Sequence, residues 1–321
     1  MVLILSISND LHTDYVIDYL YNNNIPFIRL NENFIFESSL VLEKEPYLKI
    51  KNKVIYLKDI KVIWYRKFGM KFESETINSL IKAGGVELYK FYEEEITETY
   101  NSYIKILLNQ KHIFWITNPK NINVNKIDMI FQAQRLGIKT PVTSLEYCFK
   151  KELTDEFISK PLKGYEVINI SKRFNILTKT TLIKNIEVGY EYIPFQIQNK
   201  IEKKFEIRIV FIDGKFYSCK IDEKNVRTKD VDHRFGLVTE MDNIRYFQFE
   251  LDPTLKLKIR QLLRFYNFNF ASIDFIEGID NEFYFLEINP VGQFLFHSKE
   301  INAPIEKDIF NLIKKGYERK I

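Results

Sequence analysis

Cysteine and histidine are scarce in this chain. Two cysteines, Cys148 and Cys219, and four histidines occur among 321 residues. Two cysteines do not make a disulfide framework, and no cluster of Cys and His has the spacing of a zinc site. We therefore expect each histidine to be structural or exposed, and a reducing, cytoplasmic location is the default expectation.

Long apolar runs are also missing. No run approaches the roughly 20 residues that a membrane-spanning helix requires. The first residues, Met1 to Ile7, are apolar, but this run is short and lacks a basic start. It is typical of a first strand rather than of a signal peptide. We expect no membrane partner.

Neither sign of charge dominates. The 47 basic and 43 acidic residues leave a net charge of +4, and this mild excess is spread along the chain. A nucleic-acid-binding face normally shows a stronger and more clustered excess, so no nucleic-acid partner is expected. The apolar fraction of 45% is that of a globular protein, and the length favours two or three domains.

The chain opens with a β-α-β pattern. Residues 1–7 form a continuous apolar strand, 13–22 a helix, and 25–30 a second strand. The apolar face of this helix is expected to comprise Val16, Ile17, Leu20 and Tyr21. A Gly-x-Gly-x-x-Gly turn is absent, so the opening does not imply a dinucleotide site.

Further elements follow from periodicity and turn residues. Short strands are expected over residues 36–60 and 167–186, and a long helical region over 73–109. A helix over 125–137 should turn Ile127, Ile130 and Phe131 inward and end at Gly137. A helix over 252–265 should bury Leu255, Leu257, Ile259, Leu262 and Leu263, and a last helix should cover 304–317. The Asp213-Gly214 pair predicts a type I′ hairpin turn within 204–219.

A second hairpin carries acidic residues near the end of the chain. Strand alternation puts Glu287 and Asn289 on one face, and folding about the turn-rich loop 277–282 sets Asp274 nearly opposite Glu287. Such pairs have Cβ atoms roughly 4.5–5.5 Å apart. Carboxylates this close repel each other, and a hard divalent cation such as Mg²⁺ resolves the conflict. The alternative is an ordinary hairpin with its acids on a wet face.

The same residues carry a family resemblance. Asp274 followed by Leu286-Glu-Ile-Asn-Pro-Val-Gly-Gln-Phe294 resembles the metal-binding end of the ATP-grasp ligases, more specifically the maturases of the microviridin-like graspetides. Near the start, the grasp-with-spasm subgroup is similar at Ser8-Asn-Asp10 with Thr13, at Phe27-Ile-Arg-Leu-Asn31 and at Trp64-Tyr-Arg66.

The resemblance covers nearly the whole chain and implies an α/β (α+β) protein with the ATP-grasp fold. It divides the chain into three parts. An N-terminal pre-ATP-grasp β-α-β domain would span 1–118, a small central subdomain 119–192, and a C-terminal antiparallel-sheet subdomain with the metal site 193–321.

It also implies roles for named residues. Lys126 and Lys160 would contact phosphates, Gln196 and Ile197 the adenine, and Arg208 the γ-phosphate and the acyl phosphate. Asp274, Glu287 and Asn289 would hold one or two Mg²⁺. The residues alone leave plainer interpretations open: Lys126 as an exposed lysine at a helix start, Gln196 as the end of a surface strand, and Arg208 in a cross-strand salt bridge.

A further motif concerns the substrate. Asp232-His-Arg234 resembles a family motif of Asp, an aromatic residue and Arg, which receives the acidic side chain of a substrate peptide. His233 departs from the aromatic residue, which affects packing more than charge. A guanidinium fork fits a carboxylate, although a plain salt bridge within the loop is the alternative.

The function implied by the resemblance is ATP-dependent ligation on a ribosomally made precursor peptide with leader and core. Asp or Glu side chains would become acyl phosphates and close ω-ester rings with Ser or Thr hydroxyls. Amide formation with Lys, or addition of amino acids to a peptide, is the alternative within the same class. A non-catalytic, nucleotide-dependent peptide binder is the alternative from another class. A homodimer is left open.

Overall fold

The computed structural model describes residues 1–66, 74–148, 156–162, 166–171, 174–178, 180–183, 189, 191–222 and 244–319. All structural statements below concern these residues.

The N-terminal part is built on a parallel sheet. Its elements are β1 (Val2–Leu5), α1 (Leu11–Asn22), β2 (Phe27–Leu30), α2 (Phe34–Glu37), β3 (Ser38–Val41), β4 (Tyr47–Ile50), β5 (Lys53–Tyr56), β6 (Val62–Tyr65), α3 (Ser74–Leu108) and β7 (Phe114–Ile116). The parallel sheet has the order β2-β1-β6-β7, and β3, β4 and β5 form an antiparallel sheet beside it. All four residues of β1 are buried, as its continuous apolar run predicts.

The chain changes direction across this sheet at β1. From β1 it moves to β2 on one side, and it later returns to β6 on the other side. At such a switch point the loops after the two strands separate and leave a crevice at their carboxyl ends. Ser6 and Arg66, which directly follow β1 and β6, lie at this edge.

The long helix predicted over 73–109 is confirmed as α3, but it is not continuous. Gly84 and Gly85 depart from helical dihedral angles, and Gly85 has φ +76°. This is a backbone conformation that glycine adopts without the steric penalty of a Cβ atom. The interruption separates a shorter first segment from a longer second segment that buries Tyr103, Ile104 and Leu107.

The middle of the chain contributes a second layer. Its elements are α4 (Lys126–Arg135), β8 (Thr143–Cys148), β9 (Phe157–Lys160), β10 (Glu166–Ser171), β11 (Phe174–Thr178), β12 (Thr181–Ile183) and β13 (Glu191–Asn199). Four of these strands form an antiparallel sheet of order β12-β9-β13-β8, and β10 pairs with β11. The predicted domain boundaries at 118/119 and 192/193 stay a prediction; β13 runs across the second of them.

The C-terminal part is a five-stranded antiparallel sheet with three helices. Its elements are β14 (Lys203–Ile212), β15 (Lys215–Asp222), β16 (Arg245–Gln248), α5 (Pro253–Phe265), β17 (Phe270–Gly278), β18 (Phe283–Asn289), α6 (Leu295–Glu300) and α7 (Ile305–Tyr317). The strand order is β16-β15-β14-β17-β18. Asp213 and Gly214 both have positive φ, +44° and +98°, so the predicted type I′ turn is confirmed.

The two faces of this sheet pack against different parts of the chain. Ile207, Ile273 and Phe285 belong to a buried cluster with residues of α4 and α5. Val210 and Phe270 belong to another, shared with the parallel sheet and α7. The second cluster joins the C-terminal sheet to the N-terminal part through apolar burial, the main source of stability in such contacts.

Three predicted core residues are instead exposed. Phe131 on α4, Leu257 on α5 and Tyr21 on α1 are 54%, 55% and 75% exposed. On α4 the buried residues are Met129, Ile130 and Ala133, so the inward face is rotated away from Phe131. Within the described residues, no helix combines the length and the apolarity that crossing a bilayer requires.

Candidate active site

Three neighbouring strands carry a row of charged side chains. Arg208 on β14 lies opposite Asp274 on β17, and Asp274 lies opposite Glu287 on β18. The Arg208 guanidinium donates a hydrogen bond to Oδ1 of Asp274. The predicted facing of Asp274 and Glu287 is therefore confirmed by the strand register.

A bulge in β18 makes this row possible. Asp274 faces Glu287, but the next residue, Phe275, faces Phe285, so Leu286 is an extra residue on β18. Strict alternation would place Phe285 on the same face as Glu287. Because of the extra residue, Phe285 and Ile288 are both buried in the core while Glu287 remains on the opposite, accessible face.

Lys126 completes the row from a different element. It is the first residue of α4, whose start is capped by the Asn125 side chain accepting from the backbone N–H groups of Ile127 and Asp128. The Nζ atom of Lys126 lies 3.2 Å from Oε2 of Glu287. The row thus alternates in charge, from Lys126 through Glu287 and Asp274 to Arg208.

Asn289 follows Glu287 on the same face and opens a turn. It lies opposite Ser272, and its Oδ1 accepts a hydrogen bond of 3.1 Å from the backbone N–H of Val291. A Cβ atom at Gly292 would approach Oγ of Ser272 to 2.2 Å. Glycine at this position therefore lets the turn lie directly on β17.

The turn after Asn289 is held by the N-terminal part of the chain. Arg66 donates to the backbone carbonyls of Val291 and Gly292, the latter at 2.6 Å. Thr117 donates to the carbonyl of Pro290 at 3.1 Å. Nδ1 of His12 accepts the N–H groups of Phe294 and Leu295, both at 3.2 Å. The spacing of His12 and Thr117 in the sequence carries no signal of these contacts, and no functional role was predicted for either residue.

His297 lies next to Arg208, and no role near Arg208 was predicted for it from the sequence. It is 5% exposed, and its Nε2 has no hydrogen-bond partner among the described residues. Burial and the neighbouring Arg208 guanidinium lower the pKa of His297 to about 4, although a hydrogen bond with the Arg208 backbone acts in the opposite direction. The ring is therefore neutral at physiological pH.

A second group of predicted residues lies on the four-stranded sheet. Gln196 on β13 faces Lys160, the last residue of β9, and Ile197 faces Ser159. Gln196 and Ile197 are 2% and 3% exposed, so Gln196 is not the end of a surface strand. Its Oε1 has no hydrogen-bond partner within the described part of the chain.

Comparisons with solved structures identify the architecture. A Chryseobacterium gregarium RiPP-associated ATP-grasp ligase, in complex with ADP and a leader and core peptide, is 21% identical, with a TM-score of 0.78 over 100% of this chain and 99% of that chain. The macrocyclase MdnC from Microcystis aeruginosa, bound with the precursor peptide MdnA, is 18% identical, with a TM-score of 0.76 over 98% and 99%. The chain has the ATP-grasp fold.

A third ATP-grasp structure agrees over the same length. The ATP-grasp ligase PsnB, complexed with a phosphomimetic variant of a minimal precursor, Mg and ADP, is 12% identical, with a TM-score of 0.72 over 99% of this chain and 98% of that chain. No protein-family model and no curated protein matches the sequence. The predicted ATP-grasp fold is confirmed.

Within the ATP-grasp fold, the predicted residues fall into two groups. Arg208, Asp274, Glu287 and Asn289 share one face of the five-stranded sheet with Lys126 beside them, whereas Lys160, Gln196 and Ile197 lie on the four-stranded sheet. Asp232 and Arg234, predicted to bind substrate, lie outside the described residues, as does the segment 163–165.

Lys220 lies outside this candidate site. It faces Ile207, on the side of the sheet opposite to Arg208, and it pairs with the buried carboxylate of Glu277. Its Nζ atom lies 5.1 to 5.7 Å from the ring centres of Phe205, Phe249 and Phe283. These are cation–π distances, so this cation is part of the core packing.

The donor set on the row suits a hard cation. Within the described residues no three His, Cys, Asp or Glu side chains cluster as a metal site. The candidate set consists of two carboxylates and one amide oxygen, ligands that Mg²⁺ accepts while keeping water and phosphate oxygens as its other ligands. Asn289 fits because an amide oxygen has two lone pairs, and Val291 occupies one of them.

Proposed function

We propose that the protein is an ATP-dependent ligase that closes side-chain rings in a ribosomally made precursor peptide. Asp or Glu side chains would be activated as acyl phosphates, and Ser or Thr hydroxyls of the same peptide would form ω-esters. The alternating row Lys126, Glu287, Asp274 and Arg208 carries this proposal. Support comes from the fold, which matches peptide-bound ATP-grasp structures nearly end to end.

Asp274, Glu287 and Asn289 would hold Mg²⁺, which supplies positive charge against the phosphates of bound ATP. Arg208, Lys126 and Lys160 would hold the phosphate oxygens. Gln196 and Ile197 would contact the base, and the buried Oε1 of Gln196 is an acceptor that an N–H donor could satisfy. The substrate-binding roles of Asp232 and Arg234, and a homodimer, stay predictions.

The reaction would proceed in two balanced steps. A carboxylate oxygen of the peptide attacks the γ-phosphorus, the bond to the β–γ bridging oxygen breaks, and ADP leaves. The hydroxyl oxygen then attacks the acyl carbon, its proton is released, and inorganic phosphate leaves. The first step brings two anions together, and the second develops negative charge on the acyl oxygen and the leaving phosphate, so fixed cations account for catalysis without a covalent enzyme nucleophile.

Arg208 would act in both steps. Its guanidinium is 26% exposed at the row, and the neutral ring of His297 lies behind it. A neutral imidazole adds no charge to the site. Of these two side chains, only Arg208 therefore carries a positive charge. A planar guanidinium holds two phosphate oxygens in a fixed fork, whereas a lysine is a point charge with freely rotating donors.

The proposal is tested by incubating the protein with Mg-ATP and short peptides encoded beside its gene, with mass analysis and ADP measurement. We expect a loss of about 18 Da, one water, per ring and one ADP per ring, as the two balanced steps require. Asp274→Asn combined with Glu287→Gln should abolish the loss. Glu282→Gln is the matched control, because Glu282 lies on the turn of the same hairpin and pairs with exposed Lys139.

The other outcomes identify the alternatives. Mass loss that survives mild base indicates amide rather than ester rings. A gain in mass indicates addition of amino acids. Binding of peptide and nucleotide without turnover of a verified cognate peptide indicates a non-catalytic binder and contradicts the proposal.

A further inference from the structure

Arg66 belongs to the N-terminal part of the chain but contacts a turn in the C-terminal part. It is 1% exposed and directly follows β6 at the switch-point edge of the parallel sheet. Its guanidinium donates to two carbonyls of the turn that follows the candidate metal ligands, those of Val291 and Gly292. The ring of Phe294, in the same segment, lies 5.3 Å from the guanidinium carbon.

A buried carboxylate balances this charge. Oδ2 of Asp10 lies 3.2 Å from Nε of Arg66, and Asp10 is 2% exposed. The same oxygen accepts hydrogen bonds from Thr13 at 2.7 Å and Ser6 at 3.2 Å. A buried ion pair is weak evidence for stability, because removing two charges from water offsets most of their attraction. The carbonyl contacts of Arg66 therefore call for a further role.

Val291 connects Arg66 to the candidate metal site. The carbonyl of Val291 accepts from Arg66, and its N–H donates to Oδ1 of Asn289 at 3.1 Å. Fixing Val291 thus fixes the direction of the Asn289 amide oxygen. The lone pair of Asn289 that Val291 does not use is then held in one orientation.

We infer that Arg66 is a positioning residue for the metal centre, acting on Asn289 through Val291. This inference rests on the proposed function, since it requires that Asn289 bind the divalent cation. Groups that orient metal ligands from behind typically change metal affinity by about 10- to 100-fold when they are altered. A residue that only packs two domains together would change stability instead and leave metal affinity alone.

The test is a Mn²⁺ titration followed by electron paramagnetic resonance, on the full chain with saturating ADP. Arg66→Lys keeps the positive charge, but its single nitrogen cannot lie both beside Asp10, as Nε does, and at the two carbonyls, as Nη1 does. We expect the Mn²⁺ dissociation constant to rise about tenfold. The ADP affinity measured in EDTA should stay near that of the wild type.

Arg29→Lys is the matched control. Arg29 donates to the carbonyls of Ile7 and Ser8 and pairs with Asp14, all within the N-terminal part. None of these contacts reaches the turn after Asn289, so its Mn²⁺ affinity should be that of the wild type. An equal loss in both variants would identify a general packing effect and overturn the inference.

A double-mutant cycle locates the effect. In an Asn289→Ala background, Arg66→Lys should cause no further loss of Mn²⁺ affinity, because the two residues act on one ligand. Additive losses would overturn the inference. Should Arg66→Lys fail to fold, Thr117→Val loosens the same turn at Pro290 without changing a charge. It should weaken Mn²⁺ binding by less than the roughly tenfold expected for altering the ligand-orienting group itself; unchanged binding would count against the inference.

The two proposals fail differently. If the wild type binds no Mn²⁺ in the presence of ADP, the proposed function fails. If the wild type binds Mn²⁺ and Arg66→Lys binds it equally well, the proposed function stands and only the role of Arg66 is rejected.

Discussion

The ammonium group of Lys126 lies 3.2 Å from the carboxylate of Glu287, and both side chains are 30% exposed. A pair with this exposure is worth only about 0–1 kcal/mol. It therefore costs little to separate the two groups, so that Glu287 binds a cation and Lys126 binds a phosphate. The ion pair orients both side chains, but it is weak enough to break when ligands bind.

This weak coupling predicts different effects for the two partners. Lys126→Ala should lower ADP affinity in EDTA by about tenfold, the value of one charge-assisted hydrogen bond. Glu287→Gln should lower Mn²⁺ affinity but not ADP affinity in EDTA, which calorimetry can measure separately. Lys139→Ala is the control, since Lys139 pairs with Glu282 on the exposed turn of the same hairpin. If each variant lost affinity for both ADP and Mn²⁺ to the same extent, the result would contradict separate roles for Lys126 and Glu287.

Arg208 should be sensitive even to a change that keeps its charge. We expect Arg208→Lys to lower kcat by about 10²- to 10³-fold, because an ammonium group lacks the rigid planar fork that orients two oxygens of the reacting phosphoryl group. The KM for ATP should change much less. Steady-state ADP release with the precursor peptide measures both constants. Arg260→Lys, at a partly buried arginine that donates to the carbonyl of Gly214, should behave as wild type; a kcat loss shared by both variants would rule out a specific role for Arg208.

Local patterns were sufficient to predict part of the site. The Asp213-Gly214 turn sets the β14–β15 pairing and the loop after β17 sets Phe275 opposite Phe285, although only the bulge beyond that pair brings Glu287 opposite Asp274. Both depend on residues close together in sequence, where turn chemistry fixes the register. The bulge at Leu286 was not predictable from alternation, because it becomes favourable only when Phe285 has a core to enter.

The missed residues depend on distant parts of the chain. His12 accepts N–H groups of Phe294 and Leu295, and Thr117 and Arg66 hold the turn just before them. Such contacts follow from the packing of distant parts of the chain and leave no periodic signal. The short helix α6, which carries His297, was missed because its start has no capping side chain.

His297 should make stability depend on pH. Its folded pKa of about 4 lies below its ordinary value of 6.5, so the folded state binds a proton less readily than the unfolded state. This contribution is fully present above pH 6.5 and is lost as the pH falls toward 4. The free energy of unfolding should fall by up to about 3 kcal/mol, since one pKa unit corresponds to about 1.4 kcal/mol.

Urea unfolding across this pH range measures the effect. Other groups also titrate there, so the wild type is compared with His297→Leu, in which the pH dependence should be shallower by the expected amount. His112→Leu is the control, because His112 is only partly buried beside the carbonyl of Leu57. If His297→Leu and the wild type lose stability in parallel on acidification, His297 is not the titrating group.

Lys220 should matter for stability and not for ligand binding. Its partner Glu277 is 4% exposed, and Lys220→Met would leave that buried carboxylate without its nearest cation. Lys204, at 3.6 Å from Glu277, would compensate only in part. We therefore expect the free energy of unfolding to fall by about 3 kcal/mol, the lower end for breaking a buried pair.

Because Lys220 lies on the face opposite to Arg208, the folded variant should bind ADP and Mn²⁺ as tightly as the wild type does. This comparison is made at a temperature well below the midpoint of thermal unfolding of the variant. A selective loss of Mn²⁺ binding without a lower midpoint would place Lys220 in the site and contradict its assignment to the core.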